Sequence, residues 1–123
     1  MVEYQARADS ARLDTVFAAL ASPARRATLD ALGGSARSVS ELAAPHGMSL
    51  TGFMKHVHVL EAAGLITCVK EGRTVTCALA PEPLQAAQQW LASRERMWSA
   101  RLDALGRHLQ HLERPRKTRK RRV

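Results

Sequence analysis

The strongest constraint on the fold lies between Ser38 and Leu79, where two closely spaced helix starts precede a pair of strands. Residues 38–41, SVSE, have the spacing of a capping box, which predicts the start of a short helix. Ser49 is a second capping residue, and it opens another helix that Gly64 ends. Two helices joined by so short a turn predict a helix-turn-helix.

A β-hairpin is predicted directly after this helix pair. Its strands cover about 66–70 and 73–79, and both are rich in Val, Thr and Ile. The connection contains Gly72, which accommodates the positive φ of a hairpin turn, and Glu71-Gly72 is its predicted centre. A hairpin that follows a helix-turn-helix is a wing, and this order of elements indicates DNA recognition rather than catalysis.

Further helices are predicted at about 10–21, at about 23–32 after the cap Ser22, and from near Glu82 to about Leu112. Apolar residues recur at mostly heptad spacing along the last helix: Leu84, Leu91, Trp98, Leu102, Leu105, Leu109 and Leu112. A helix about 45 Å long projects beyond so small a core, so its stripe predicts contact with a second copy. The predicted fold class is mainly α with a two-stranded β-wing, a winged helix-turn-helix.

The net charge of +8 is concentrated at one end of the chain. Residues 114–123 contain seven Lys and Arg and no acid, which leaves about +1 for residues 1–113. We therefore predict one folded domain over 1–113 and a disordered basic tail over 114–123. The tail either contacts phosphate beside a specific site or only keeps the protein in solution.

Composition argues against several classes of protein. No apolar run is long enough to span a membrane, and the N-terminus lacks the apolar core of a signal peptide. The chain has only two cysteines, which suits a reducing compartment. A cytoplasmic protein is therefore predicted. The serine-nucleophile and phosphate-binding glycine motifs of enzymes are absent, so no enzymatic activity is predicted. Non-specific binding to the nucleoid or to RNA through the tail is an alternative, although aromatics for base stacking make up only 4%.

The helix predicted over about 50–63 has an exposed face that suits base readout. Thr51 and Lys55 are four residues apart on one side, with Gly52 between them. Thr contacts a thymine methyl group or a base edge, and Lys reaches guanine O6 or N7. Gly52 costs about 1 kcal/mol in a helix interior relative to Ala, which close approach of the backbone to DNA would offset.

The segments SELAAPHGMSL, FMKHVHVLEAAGLI and KEGRTVTCAL resemble the ArsR (arsenic-repressor-like) family of bacterial winged-helix repressors. FAALASPARRATLDAL is similar to the first two helices of that family, with Ser22 where Asp is usual, and WLASRERMWSARLDALGRHL resembles a branch with a long C-terminal helix. The resemblance covers about residues 11–112. It implies a repressor that pairs through its first and last helices and binds a pseudo-palindromic operator in double-stranded DNA as a homodimer.

Carried over by position, the resemblance implies two sets of functional residues. The DNA-contacting set lies on the second helix of the motif and on the wing: Ser49, Thr51, Gly52, Lys55, His56, His58, Lys70, Arg73 and Thr74. The dimer set lies on the first and last helices: Leu13, Phe17, Leu91, Trp98, Leu102, Leu105 and Leu109. Met54 stands where most relatives have Ser, which removes one polar contact.

Many relatives sense metals, but no metal site and no cofactor are predicted for this chain. Ala43 and Pro45 occupy the positions of a Cys-x-Cys site of the family. His108 and His111 have the spacing of half of a second type of site, and two ligands fall short of a four-coordinate zinc site. A metal or redox sensor of the same fold stays an alternative, and any small-molecule effector is unknown.

A redox switch would need Cys68 and Cys77 to lie opposite each other across the hairpin. A turn centred on Glu71-Gly72 pairs Cys68 with Val75 instead. A turn centred one residue later would align the two cysteines.

Overall fold

The computed structural model describes the backbone of residues 2–122 and the side chains of residues 6–113. The elements in chain order are α1 (Val2–Leu20), α2 (Pro23–Ala31), β1 (Arg37–Ser38), α3 (Val39–Ala43), a 3-10 turn (Ala44–His46), α4 (Leu50–Ala62), β2 (Ile66–Glu71), β3 (Thr74–Leu79) and α5 (Glu82–Arg122). The predicted winged helix-turn-helix is confirmed, with α3 and α4 as the helix pair and β2 and β3 as the wing. The predicted disordered tail falls among residues whose side chains are not described, and it stays a prediction.

The predicted caps fix both helices of the motif. The backbone N–H of Glu41 donates to the hydroxyl of Ser38 at 3.2 Å, and the Glu41 carboxylate accepts from the Ser38 backbone at 3.5 Å. Ser49 accepts from the backbone N–H of Gly52 at 3.1 Å. These side chains satisfy amide groups that would otherwise lack partners at a helix start.

The C-terminal end of α4 is a Schellman motif. Gly64 has a φ of 74°, its N–H donates to the carbonyl of Glu61 at 2.9 Å, and the N–H of Leu65 donates to that of Leu60 at 3.0 Å. Leu65 and Ile66 are then fully buried. The chain therefore leaves α4 in a fixed direction and enters the wing through the core.

The sheet has three antiparallel strands in the order β1-β3-β2. Strand β1 was not predicted, because two residues are too short to show an alternating pattern. The predicted centre of the hairpin turn was wrong by one residue: Glu71 pairs with Thr74, so Gly72 and Arg73 form the turn. Gly72 has a φ of 62° and no other residue type in the described chain has a positive φ, which identifies a type II′ turn with glycine first.

The core lies within a compact unit formed by residues 1–87. α4 contributes its fully buried residues Phe53, Val57 and Leu60. The side chain of Leu50, in contrast, is 51% exposed. It lies in the first turn of α4, where the helix passes the edge of the core and borders a groove beside the wing.

The remainder of α5, from residue 88 onward, belongs to a second unit. Its described side chains include the exposed apolar residues Leu91, Trp98, Leu102, Leu105, Leu109 and Leu112. Arg94 lies over the ring of Trp90, with its guanidinium carbon 5.0 Å from the ring centroid. In the described part of the chain, no helix is long and apolar enough to cross a membrane.

Candidate nucleic-acid interface

The outer face of α4 presents a short polar surface next to the wing. Thr51, Lys55 and His58 are exposed, whereas Phe53, Val57 and Leu60 hold the opposite face of the helix in the core. Because side chains four apart share a helix face, Thr51 and Lys55 lie side by side. The helix therefore has one face fixed by packing and another free for an external partner.

Ser49 and Gly52 act together at the start of α4. The Ser49 hydroxyl accepts from the Gly52 N–H, and a Cβ on Gly52 would lie only 3.1 Å from that oxygen. A glycine at this position therefore leaves room for the cap. This local reason for a glycine at position 52 was not predicted from the sequence, where Gly52 was explained only by close approach of the backbone to DNA.

His56 is placed differently from its neighbours on α4. Its ring is half-buried, and its Nδ1 lies 3.2 Å from Nη1 of Arg25. The rings of His56 and Phe53 form a T-shaped pair with 6.1 Å between centroids. Arg25 was not among the predicted site residues. The contact spans 31 positions of sequence, so no local pattern signals it.

The wing carries its cations at the outer end of the hairpin. Lys70, Arg73 and Thr74 are exposed, and Arg73 is the second residue of the turn. Among the described residues, neither Lys70 nor Arg73 has an acidic side chain within ion-pair distance. These cations are thus available to phosphate groups.

A groove lies between the wing and the start of α4, next to the polar surfaces of both. Arg73 and Thr74 border it on the wing, Ser40 borders it on α3, and Leu50 and Met54 border it on α4. Met54 also packs against the core. Met54 therefore contributes apolar surface to the groove as well as packing.

The residues of the predicted dimer set fall into two environments. Leu13 and Phe17 on α1 are half-buried and pack against the core of their own unit. The members on α5 are about half exposed or more: Leu91 (47%), Trp98 (49%), Leu102 (66%), Leu105 (52%) and Leu109 (46%). Five large apolar side chains in one exposed stripe form a surface that suits contact with another apolar surface.

The register of the wing places Cys68 directly opposite Cys77, with 3.1 Å between their sulfur atoms. Burial, a hydrogen bond to Cys77 and the nearby Glu61 raise the pKa of Cys68 to about 12. Burial also raises the pKa of Cys77. Both thiols are therefore protonated near neutral pH, and a protonated thiol is a poor nucleophile.

Known proteins share the sequence pattern and the fold of this chain. A family model described as a helix-turn-helix domain matches residues 20–69. A crystal structure of an ArsR family transcriptional regulator is 46% identical, with a TM-score of 0.71, and the match covers 73% of this chain and 93% of that one. No curated protein matches the chain.

Two further solved structures are similar along most of their length. An ArsR-like transcriptional regulator from Rhodococcus sp. RHA1 is 33% identical with a TM-score of 0.66, and the match covers 78% of this chain and 91% of that one. The homodimeric winged helix-turn-helix DNA-binding domain of Mb0332 from Mycobacterium bovis is 26% identical with a TM-score of 0.55, covering 77% and 87%.

Proposed function

Because the chain belongs to the ArsR family of winged-helix transcriptional regulators, we propose that it is a homodimeric repressor that binds a pseudo-palindromic operator. The observation that carries the proposal is the exposed Thr51/Lys55 face of α4 beside a basic wing. The opposite face of the helix is buried, and this packing keeps the exposed face in place. An enzymatic role has no support in a family of transcriptional regulators.

In this proposal α4 is the recognition helix. Thr51 and Lys55 contact base edges in the major groove, where Lys reaches guanine and Thr contacts thymine or a base edge. Lys70, Arg73 and Thr74 contact phosphate and set the position of the protein on the duplex. Each phosphate contact releases counterions, so affinity falls steeply as salt rises.

The exposed stripe of α5 supports the homodimer. A second copy would cover the apolar side chains that one chain leaves in solvent, and the Mycobacterium bovis relative is homodimeric by its description. A two-fold axis would bring the two recognition helices into successive major grooves about 34 Å apart. The expected operator is therefore an inverted repeat.

The first test is selection of bound fragments from genomic DNA by the purified protein. An inverted repeat with one helical turn between half-sites is the expected outcome. Binding without a shared motif that disappears at high salt would contradict sequence-specific regulation and favour a nucleoid or RNA-binding role.

A matched pair of lysine variants tests the two surfaces separately. Lys55→Ala should reduce the preference for operator over random DNA by about 5- to 150-fold for each half-site, because one base contact contributes about 1–3 kcal/mol of discrimination and the dimer would lose two. Lys70→Ala should weaken binding to both DNAs about equally, because phosphate contacts carry no sequence information. Unchanged discrimination by Lys55→Ala in electrophoretic or fluorescence titrations would show that the recognition face is misplaced.

A further inference from the structure

Two consecutive arginines of α2 cap the C-terminal end of α1. Arg26 donates from Nη1 to the carbonyl of Leu20 at 2.7 Å. Arg25 donates from Nε to the carbonyl of Ala19 at 2.6 Å and from Nη2 to that of Ala18 at 3.1 Å. The last carbonyls of a helix lack partners within the helix, and cations are favourable there. Both arginines therefore make the same kind of cap.

Only Arg25 extends this arrangement to the recognition helix. Its remaining terminal nitrogen, Nη1, lies 3.2 Å from Nδ1 of His56. A guanidinium has donors and no acceptor, so Nδ1 must accept and the proton of the neutral ring lies on Nε2. Two carbonyls hold the guanidinium, and the rings of Phe53 and His56 pack at 69° to each other, so both contacts restrict the orientation of His56.

We propose that Arg25 is a positioning residue for DNA binding, which holds His56 so that its Nε2–H donates to a phosphate oxygen of the DNA backbone. The inference rests on the proposed function, since it deepens the role of α4. Nε2 of His56 has no hydrogen-bond partner among the described residues. The permanent charge of Arg25 directly behind the ring favours a phosphate over a neutral base edge as the acceptor.

The first experiment examines the ring without any DNA. Long-range ¹H–¹⁵N correlation spectra at mildly alkaline pH should show the Nε2–H tautomer for His56 in the wild type. The Arg25→Ala variant should show a mixture of tautomers. The exposed His58, on the same helix, should be identical in both proteins. An Nδ1–H tautomer of His56 in the wild type would overturn the assignment.

The second experiment is a double-mutant cycle measured on operator DNA. Arg25→Ala and His56→Phe should each weaken binding about tenfold for each half-site, the share of one hydrogen bond to a charged acceptor, and so about a hundredfold for the dimer on its operator. Arg25→Ala should have little further effect in the His56→Phe background. Arg26→Ala, which removes only a cap, should change binding less than about twofold. An equal loss from Arg25→Ala in both backgrounds, or an equal loss from both arginine variants, would reduce Arg25 to a helix cap.

Two conservative variants keep the test decisive if circular dichroism shows that Arg25→Ala is unfolded. His56→Gln places an amide nitrogen near the reach of Nε2, whereas the shorter side chain of His56→Asn reaches only as far as Nδ1. Gln should retain more operator affinity than Asn, and the reverse order would contradict the proposal. A wild-type protein that selects no motif would contradict the proposed function instead, because the tautomer is determined independently of DNA.

Discussion

Replacing Leu102 by Asp should separate the two copies of the proposed dimer. Leu102 is 66% exposed in one chain, and burial of a whole Leu side chain contributes about 1.5–3 kcal/mol. About two-thirds of that, roughly 1–2 kcal/mol per chain, remains to be gained in an interface. Two-fold symmetry counts each residue twice, so the loss is about 2–4 kcal/mol, or about 30- to 1,000-fold in the dissociation constant. Desolvation of two carboxylates adds to this loss.

Sedimentation velocity over a concentration series measures the effect directly. Ala100→Asp is the matched control, because it introduces the same charge at an exposed position on the opposite side of α5. We expect Leu102→Asp to sediment as a monomer where the wild type and Ala100→Asp are dimers, and to bind operator far more weakly. Equal behaviour of the two Asp variants, or a dimeric Leu102→Asp protein, would refute the stripe as the interface.

Three further predictions concern the core, two glycines and the thiol of Cys68. Phe53→Ala, at a fully buried site, should lower the free energy of unfolding by about 3–5 kcal/mol in urea titrations; a loss below about 1 kcal/mol would contradict the described core. Gly72→Ala should destabilise the protein by about 1–2 kcal/mol, because a φ of 62° is unfavourable for Ala. Gly106→Ala, at a helical position with open space around it, should stabilise α5 by about 1 kcal/mol. Shifts of the melting temperature with the opposite signs would contradict the backbone conformations described for these two glycines. Burial and the contact with Cys77 raise the pKa of Cys68 to about 12 from 9.0, so the folded state holds this proton more tightly than the unfolded state, and the resulting stability is complete below pH 9 and is lost as pH rises towards 12. Iodoacetamide should therefore modify native Cys68 more slowly than a free thiol at about pH 8.5. Equal rates of modification by mass spectrometry would rule out the raised pKa.

The parts of the fold that depend on neighbouring residues could be predicted from the sequence. The capping box at Ser38 and Glu41, the cap at Ser49 and the helix end at Gly64 all join residues within five positions of one another. Their side chains and backbone conformations are sufficient to start or end a helix. The order of helices and strands, and with it the winged helix-turn-helix, follows from these local signals.

The wing shows why a one-residue error is easy to make and has large consequences. Both possible turn centres contain Gly72, but a centre at Glu71-Gly72 puts Glu71 at the position where primed turns need a positive φ. A centre at Gly72-Arg73 places glycine there instead, which is the observed turn. This shift changes the register of the whole hairpin, because moving the turn centre by one residue moves every cross-strand partner by two residues. The partner of Cys68 is therefore Cys77 rather than Val75.

Contacts between distant elements could not be predicted in this way. The bond between Arg25 and His56 depends on the packing of α1, α2 and α4 together, and neither residue shows a pattern that names the other. Strand β1 depends on the edge that β3 offers to Arg37 and Ser38. The residues that position a site are therefore harder to predict than those that form its exposed face.

Helix α4, the proposed recognition helix, is held from three directions, and this limits how DNA binding could be controlled. Phe53 fixes its inner face, the Schellman motif at Gly64 ties its end to the wing, and Arg25 joins His56 to the end of α1. A change in the shape of α4 would have to disrupt these contacts together. In the proposed dimer, the spacing between the two copies of α4 would depend instead on the exposed stripe of α5. We therefore expect a signal that releases DNA to act on the dimer rather than on the recognition helix itself.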